Sequence, residues 1–305
     1  MDPETTLPEI PAELRALMAE VGPRWKDDIG GNVGLMIKHF SAVLKSAPEG
    51  GAAVHNNIKY GAHERQAIDV FVPQGAATPT PVVLFVHGGA FVTGDRNRTD
   101  QIYSNVLQYF ARYGIAGANV GYRLANDATY PEATLDIATA ARWVRDHASE
   151  FGMDPARMFL MAHSAGAAHA GSLAYDDRFR SVGAPELAGM IVVSGRVRAD
   201  NLPENPNAAK VEAYYGTDSS KFDEYSPVTH INSRSIPTFV AWAEFENPLV
   251  DVYCAELAYR LAVAKRKSPP MLWLRGHNHT SSIAHINTAD EALGRAIVNF
   301  VHKPT

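Results

Sequence analysis

The chain of 305 residues contains one cysteine, Cys254. No intrachain disulfide can form, and a reducing compartment is compatible. Excess positive charge is missing as well: 28 Lys and Arg stand against 33 Asp and Glu, for a formal net charge of -5. That balance disfavours a nucleic-acid surface, which needs clustered cations facing phosphates. The string His277–Asn278–His279 is therefore not read as a nuclease motif. No uninterrupted apolar segment approaches the roughly 20 residues of a membrane span. The N-terminal stretch is acidic and proline-containing, without a basic segment leading into an apolar one, so no signal peptide is expected. The expectation is a soluble, cytoplasmic protein with no membrane span and no nucleic-acid partner. Hydrophobic residues at 46% and charged residues at 20% are ordinary globular values and argue against disorder.

What the chain does have is an alternation of apolar runs and helical stretches. Residues 11–45 read as helical, with Leu14, Leu17 and Met18 on one face and Leu35, Met36, Phe40, Val43 and Leu44 as a second apolar set. Two extended runs, 54–60 and 67–72, flank a short polar turn and predict an antiparallel hairpin. Val82 to Val86 form a continuous apolar run, as expected of a strand buried on both faces. Further runs at 115–120, 158–161, 190–193, 238–243 and 271–274 alternate with helical segments, and Thr288–Ala289–Asp290–Glu291 reads as a capping box opening a last helix. The pattern predicts an α/β fold with a mostly parallel sheet covered on both faces. The polar stretch 201–235 interrupts it and is expected to be an insertion lying over the sheet.

Within that pattern, Ala162–His163–Ser164–Ala165–Gly166 follows an apolar run and precedes an alanine-rich helical segment. Strand, sharp turn with a serine at its apex, and helix is the layout of a nucleophile elbow, with Ala162 where G-x-S-x-G has its first glycine. A serine hydroxyl needs a histidine to take its proton, an acid to orient that histidine, and donors for the developing oxyanion. The expected chain order is Ser, acid, His. His87–Gly88–Gly89–Ala90, just after the first buried strand, offers unobstructed amides. Gly89 and Ala90 are the expected oxyanion donors, with Gly88 as a further one and Ala165 from the elbow.

Taken together, His87–Gly88–Gly89–Ala90–Phe91, Gly121–Tyr122–Arg123–Leu124, Tyr130–Pro131, Asp154–Pro155 and His163–Ser164–Ala165–Gly166 resemble the hormone-sensitive-lipase branch of the α/β-hydrolase esterases. The resemblance implies a sheet of about eight strands, a Ser-His-acid triad, no cofactor, and hydrolysis of carboxylic esters, usually with short acyl chains. It also implies a small helical cap: residues 1–50 as an N-terminal cap segment, 51–305 as the catalytic domain, and 197–235 as a cap insertion. Related esterases carry Asp-Pro-Leu after the late strand, whereas this chain has Asn247 before Pro248–Leu249. Glu246, one residue earlier and one methylene longer, is the leading acid, with Asp251 and Glu244 as alternatives and Asn247 as an orienting amide. The related pattern places the base at His279, with His277 as its neighbour in a hydrogen-bond network.

No carboxylate or cysteine accompanies His277, His279 and His285 at a recognisable ligand spacing, so no metal is expected. His163 is expected to pack within the elbow, His87 to orient the donor loop, and Cys254 to be a buried structural thiol. Phe91, His163, Tyr214, Tyr215, Trp242 and Phe245 are candidates for a substrate pocket. The expected activity is a serine carboxylesterase acting on a small-molecule ester. Arylformamidase-type amide hydrolysis and a catalytically silent binding protein are the alternatives, and a homodimer through an edge strand is compatible with the resemblance.

Overall fold

The computed structural model describes residues 6–48, 51–77, 79–180 and 183–304. Of the expected N-terminal segment, residues 1–5 and 49–50 lie outside the described residues. The strands are β1 (Ala52–Lys59), β2 (Ala67–Pro73), β3 (Thr80–Val86), β4 (Ala116–Val120), β5 (Met153–His163), β6 (Gly189–Val193), β7 (Thr238–Phe245) and β8 (Met271–Asn278). They form one eight-stranded sheet in the order β1-β2-β4-β3-β5-β6-β7-β8. β1 and β2 form the predicted hairpin, and β2 also runs antiparallel to β4; every other pairing is parallel. Parallel neighbours need crossover helices, and these cover both faces.

Eleven helices accompany the strands among the described residues: α1 (Ala12–Val21), α2 (Ile29–Leu44), α3 (Ser104–Ala111), α4 (Glu132–Asp146), α5 (Gly166–Tyr175), α6 (Asp177–Arg180), α7 (Ala208–Tyr215), α8 (Phe222–Tyr225), α9 (Val250–Lys265), α10 (Ser281–Ala284) and α11 (Ala292–His302). Successive strand residues point to opposite faces, and β3 divides accordingly. Val82, Leu84 and Val86 join one core with Ile137, Ala141 and Val144 of α4 and Cys254, Leu257 and Leu261 of α9. Val83 and Phe85 join the other with Leu107 and Phe110 of α3 and Ile297 of α11. Leu14, Met18, Met36 and Phe40 from α1 and α2 enter this second core, so the N-terminal helices are anchored to the sheet. The stretch 197–235 packs through Val211, Tyr214, Phe222 and Val228 into the first core. No described helix is long and apolar enough to cross a membrane.

The capping box does not form. The last helix begins at Ala292, and its N-cap Glu291 makes no side-chain capping bond. Its members are committed elsewhere: the Thr288 hydroxyl donates to the His285 carbonyl (2.7 Å), and the Glu291 carboxylate accepts from Tyr109 (2.9 Å) and Tyr113 (2.8 Å).

The centre of the sheet is also where it is least forgiving. A Cβ at Gly166 would lie 2.5 Å from the carbonyl oxygens of both Val86 and His87, whereas one at Gly34 on α2 would meet nothing within 4 Å. Gly166→Ala is expected to lower the melting temperature by about 5 °C or more through overpacking against backbone. Gly34→Ala should raise it slightly, because it removes backbone freedom from an exposed helix interior. Thermal melts of the two variants check this, and an undisturbed Gly166→Ala protein would contradict the close packing.

Candidate active site

β5 delivers the elbow. Ala162, fully buried, sits between Val86 of β3 and Val192 of β6 in the sheet register. The chain then reverses at Ser164, whose φ of 55° lies in the left-handed region, an uncommon conformation for a side-chain-bearing residue. The turn is held by its backbone: Ser164 N–H donates to the Val193 carbonyl (3.3 Å), and the Ser164 carbonyl accepts from Arg196 N–H (2.9 Å). Gly88 comes so close that a Cβ there would lie 2.8 Å from the Cβ of Ser164.

The structure brings Ser164, His279 and Glu246 together. Ser164 Oγ lies 2.9 Å from His279 Nε2, and His279 Nδ1 lies 2.5 Å from Glu246 Oε2. A carboxylate can only accept, so Nδ1 carries the proton and the Nε2 lone pair faces the serine hydroxyl. Glu246 is 3% exposed, and its other oxygen accepts from Ala243 N–H at 2.8 Å. The His279 backbone is pinned from both sides. Its N–H donates to the Phe245 carbonyl (3.0 Å), and its carbonyl faces His163 Nε2 (3.1 Å) and the Ser282 hydroxyl (2.8 Å).

The other acid candidates are elsewhere. Glu244 is exposed and accepts from Gly276 N–H (2.7 Å), and Asp251 is exposed in the first turn of α9. Asn247 Oδ1 accepts from the Trp25 indole (2.8 Å). His277 makes no bond to His279. It contacts the Ser281 hydroxyl (3.2 Å) and Asp290 (3.3 Å), whereas His279 lies beyond the end of β8, where the chain leaves the strand. Asp290 is the carboxylate that linear spacing concealed: one ligand atom each from His277, His285 and Asp290 lie within 4.8 Å of one another.

A cavity of about 270 Å³ opens over Ser164 and His279. Gly88, Gly89, Ala90 and Ala165 all line it; the Gly88 backbone bonds Tyr103, and the amides of Gly89, Ala90 and Ala165 have no acceptor among the described residues. The donor loop is held from behind, where His87 Nδ1 meets the Gly88 carbonyl (2.7 Å) and Tyr122 donates to the His87 carbonyl (2.7 Å).

Of the aromatic pocket candidates, only His163 lines this cavity. Phe91, Tyr214 and Tyr215 are buried in a ring cluster behind the donor loop, with Phe91 stacked on Tyr214 at 5.2 Å. Trp242 packs against the first core and Phe245 against the second, because large aromatic rings contribute most when buried. The apolar walls are instead mostly aliphatic, Ile29, Val33 and Ile37 of α2 with Ile102, Val250 and Ile283, and the aromatic ring that lines the cavity is Tyr103. The signal for the first three was present in the sequence, as an i, i+4, i+8 stripe on a helix whose other face fills the core.

With the geometry in place, the family comparison is decisive. The BD-FAE family model matches residues 68–259. The chain belongs to the BD-FAE family. BD-FAE domains fall in the α/β-hydrolase esterase class. Among curated proteins, similarity is found to the esterase LipI of Mycobacterium tuberculosis, 36% identical over 107 residues, covering 35% of this chain and 32% of LipI. It extends to a versiconal hemiacetal acetate esterase of Dothistroma septosporum, 25% identical over 239 residues, covering 71% of this chain and 69% of that one. The chain spans about a third of the length of several curated relatives that it matches. Among solved structures, a bacterial heroin esterase shares the α/β-hydrolase fold, with a TM-score of 0.68 at 22% identity, covering 100% of this chain and 96% of that one.

In this BD-FAE member four buried imidazoles are neutral. Burial pushes His87 down to about 4 and His163, His169 and His285 down to about 3, from an ordinary value of 6.5. Unfolding exposes these groups to water, where they bind protons below pH 6.5, so the stability of the folded state is full above that value and is lost as pH falls toward 4. The chemical-denaturation midpoint is expected to drop already between pH 7 and pH 5.5, above the range where carboxylates titrate. A flat profile there would contradict the neutral buried histidines.

Proposed function

We propose that the chain is a serine carboxylesterase hydrolysing short-chain or aryl carboxylic esters through an acyl-enzyme intermediate. The observation that carries this reading is the hydrogen-bonded run Ser164–His279–Glu246, facing a cavity lined by Gly89, Ala90 and Ala165, whose amides are unpaired among the described residues. Ser164 Oγ attacks the ester carbonyl while His279 Nε2 takes its proton, and Glu246 holds the imidazole in the required tautomer and stabilises the imidazolium. The amides of Gly89, Ala90 and Ala165 are donors for the tetrahedral oxyanion, each worth about 3 kcal/mol in the transition state; Gly88, expected as a further donor, is bonded to Tyr103 instead. His279 then protonates the leaving alcohol, and in the second half-reaction it deprotonates the water that releases the acid.

The cavity volume supports small acyl and alcohol groups. The N-terminus of α2 and the start of α7 border it, which supports segments 1–50 and 197–235 as a cap over the catalytic domain 51–305. A single buried cysteine suits a cytoplasmic location. An N-formyl aryl amide would require the same steps. The ester is favoured because the family falls in the esterase class.

Ser164→Ala is expected to lower kcat by about a millionfold and to abolish fluorophosphonate labelling, and Glu246→Gln to lower kcat by about 10⁴ through the wrong tautomer. Hydrolysis of p-nitrophenyl butyrate, read beside that of an N-formyl aryl amine, checks both. Wild-type turnover in Ser164→Ala would overturn the mechanism, and faster amide than ester cleavage would overturn the substrate class.

A further inference from the structure

The chain as a whole is acidic, with a formal net charge of -5, yet the cavity over Ser164 reverses that sign. Its lining includes Arg98, Arg196 and Lys210 and, among the described residues, no aspartate or glutamate. The three cations differ in how far they are neutralised. Arg196 is buried, 3.5 Å from the Asp200 carboxylate, with Asn205 and Tyr253 completing its shell. Among the described residues Lys210 donates only to the neutral amide oxygen of Asn207 (3.0 Å). Arg98 has no hydrogen bond or ion pair among the described residues. Two charges therefore remain uncompensated, one just beyond the donor loop and one on α7.

The neutral groups around the cavity point the same way. Asn247 turns its Oδ1 to the Trp25 indole and brings no negative charge to the lining. The start of α2, at Ile29 and Gly30, also lines it, its N-terminal amides capped by the Asp28 carboxylate through Gly31 N–H (2.9 Å). Glu246, the acid nearest the chemistry, is turned away behind His279. A concave site of one sign with low-dielectric walls concentrates ligands of the opposite sign.

We infer that the preferred esters carry a carboxylate in addition to the scissile group, held by Arg98 and Lys210. This rests on the esterase reading and narrows its substrate class. The attraction adds to binding and to the rate of capture, and salt screens it because both side chains are exposed.

The test uses two matched pairs on the full chain. Mono-p-nitrophenyl adipate against p-nitrophenyl hexanoate places the charge on the acyl side, and para-acetoxybenzoate against its methyl ester places it on the alcohol side. In at least one pair kcat/KM is expected to favour the anionic member by about tenfold at low salt, falling toward parity at about 0.5 M NaCl. Arg98→Gln and Lys210→Gln should each cut that selectivity ratio by about fivefold, and Arg98→Glu should invert it. Both side chains are exposed, and melts confirm that each variant is folded. Turnover without an anionic preference in either pair, or a ratio that the variants do not move, overturns this inference alone. Absence of turnover for all four esters, together with no fluorophosphonate labelling of Ser164, overturns the esterase reading beneath it.

Discussion

The turn at Ser164 is the constraint around which the sheet is built. A residue with a side chain held at φ 55° costs on the order of 1–3 kcal/mol and persists only where the surroundings over-determine it. Here they do. β5 lies between β3 and β6 in parallel register up to Ala162 and His163, the Ser164 amide and carbonyl are both bonded, and Gly166 presses on the last carbonyls of β3. The same contact brings the end of β3 beside the serine. One close approach thus presents the hydroxyl and sets Gly88, Gly89 and Ala90 around it.

The electrostatics follow from burial. A carboxylate as deeply buried as Glu246 is tolerated only when its lone pairs are satisfied, and Ala243 N–H and His279 Nδ1–H do that. The nearby imidazoles of His87 and His163 take the other route and stay neutral, so they add no competing positive charge beside His279. Their polar atoms instead brace backbone carbonyls, of Gly88 in one case and of His279 in the other. The proposed base therefore has the Glu246 carboxylate as its charged partner and neutral imidazoles beside it.

Much of this was legible from local sequence. Apolar runs that stop at glycine-rich strings mark buried strands ending in functional loops, and β3 and β5 follow that rule. What was not legible depended on which side chain reached which partner. Thr288 and Glu291 carry capping chemistry, but tertiary partners outbid the helix end for them. Phe91, Tyr214 and Tyr215 lie near the donor loop in the chain or in space, yet their area is better buried in a ring cluster than left lining a cavity. Asp290 is separated from His277 by a turn and a short helix, so no fixed spacing could announce their contact.

The acid loop shows how a departure from a pattern can be informative. Where related esterases have an aspartate before Pro-Leu, this chain has Asn247, and the carboxylate beside His279 comes from Glu246. Moving the acid back one residue brings it next to the end of β7, and the extra methylene restores the reach to His279 Nδ1. The released position is not idle. The Asn247 amide accepts from Trp25, in the turn that leads into α2, and α2 supplies Ile29, Val33 and Ile37 to the cavity wall. An aspartate at 247 could also accept from that indole, but it would put a negative charge into a lining that has none. An asparagine makes the same tie and keeps the cavity free of carboxylates. The departure that makes the proposed triad harder to read from sequence is therefore also one that fits the proposed anionic ester.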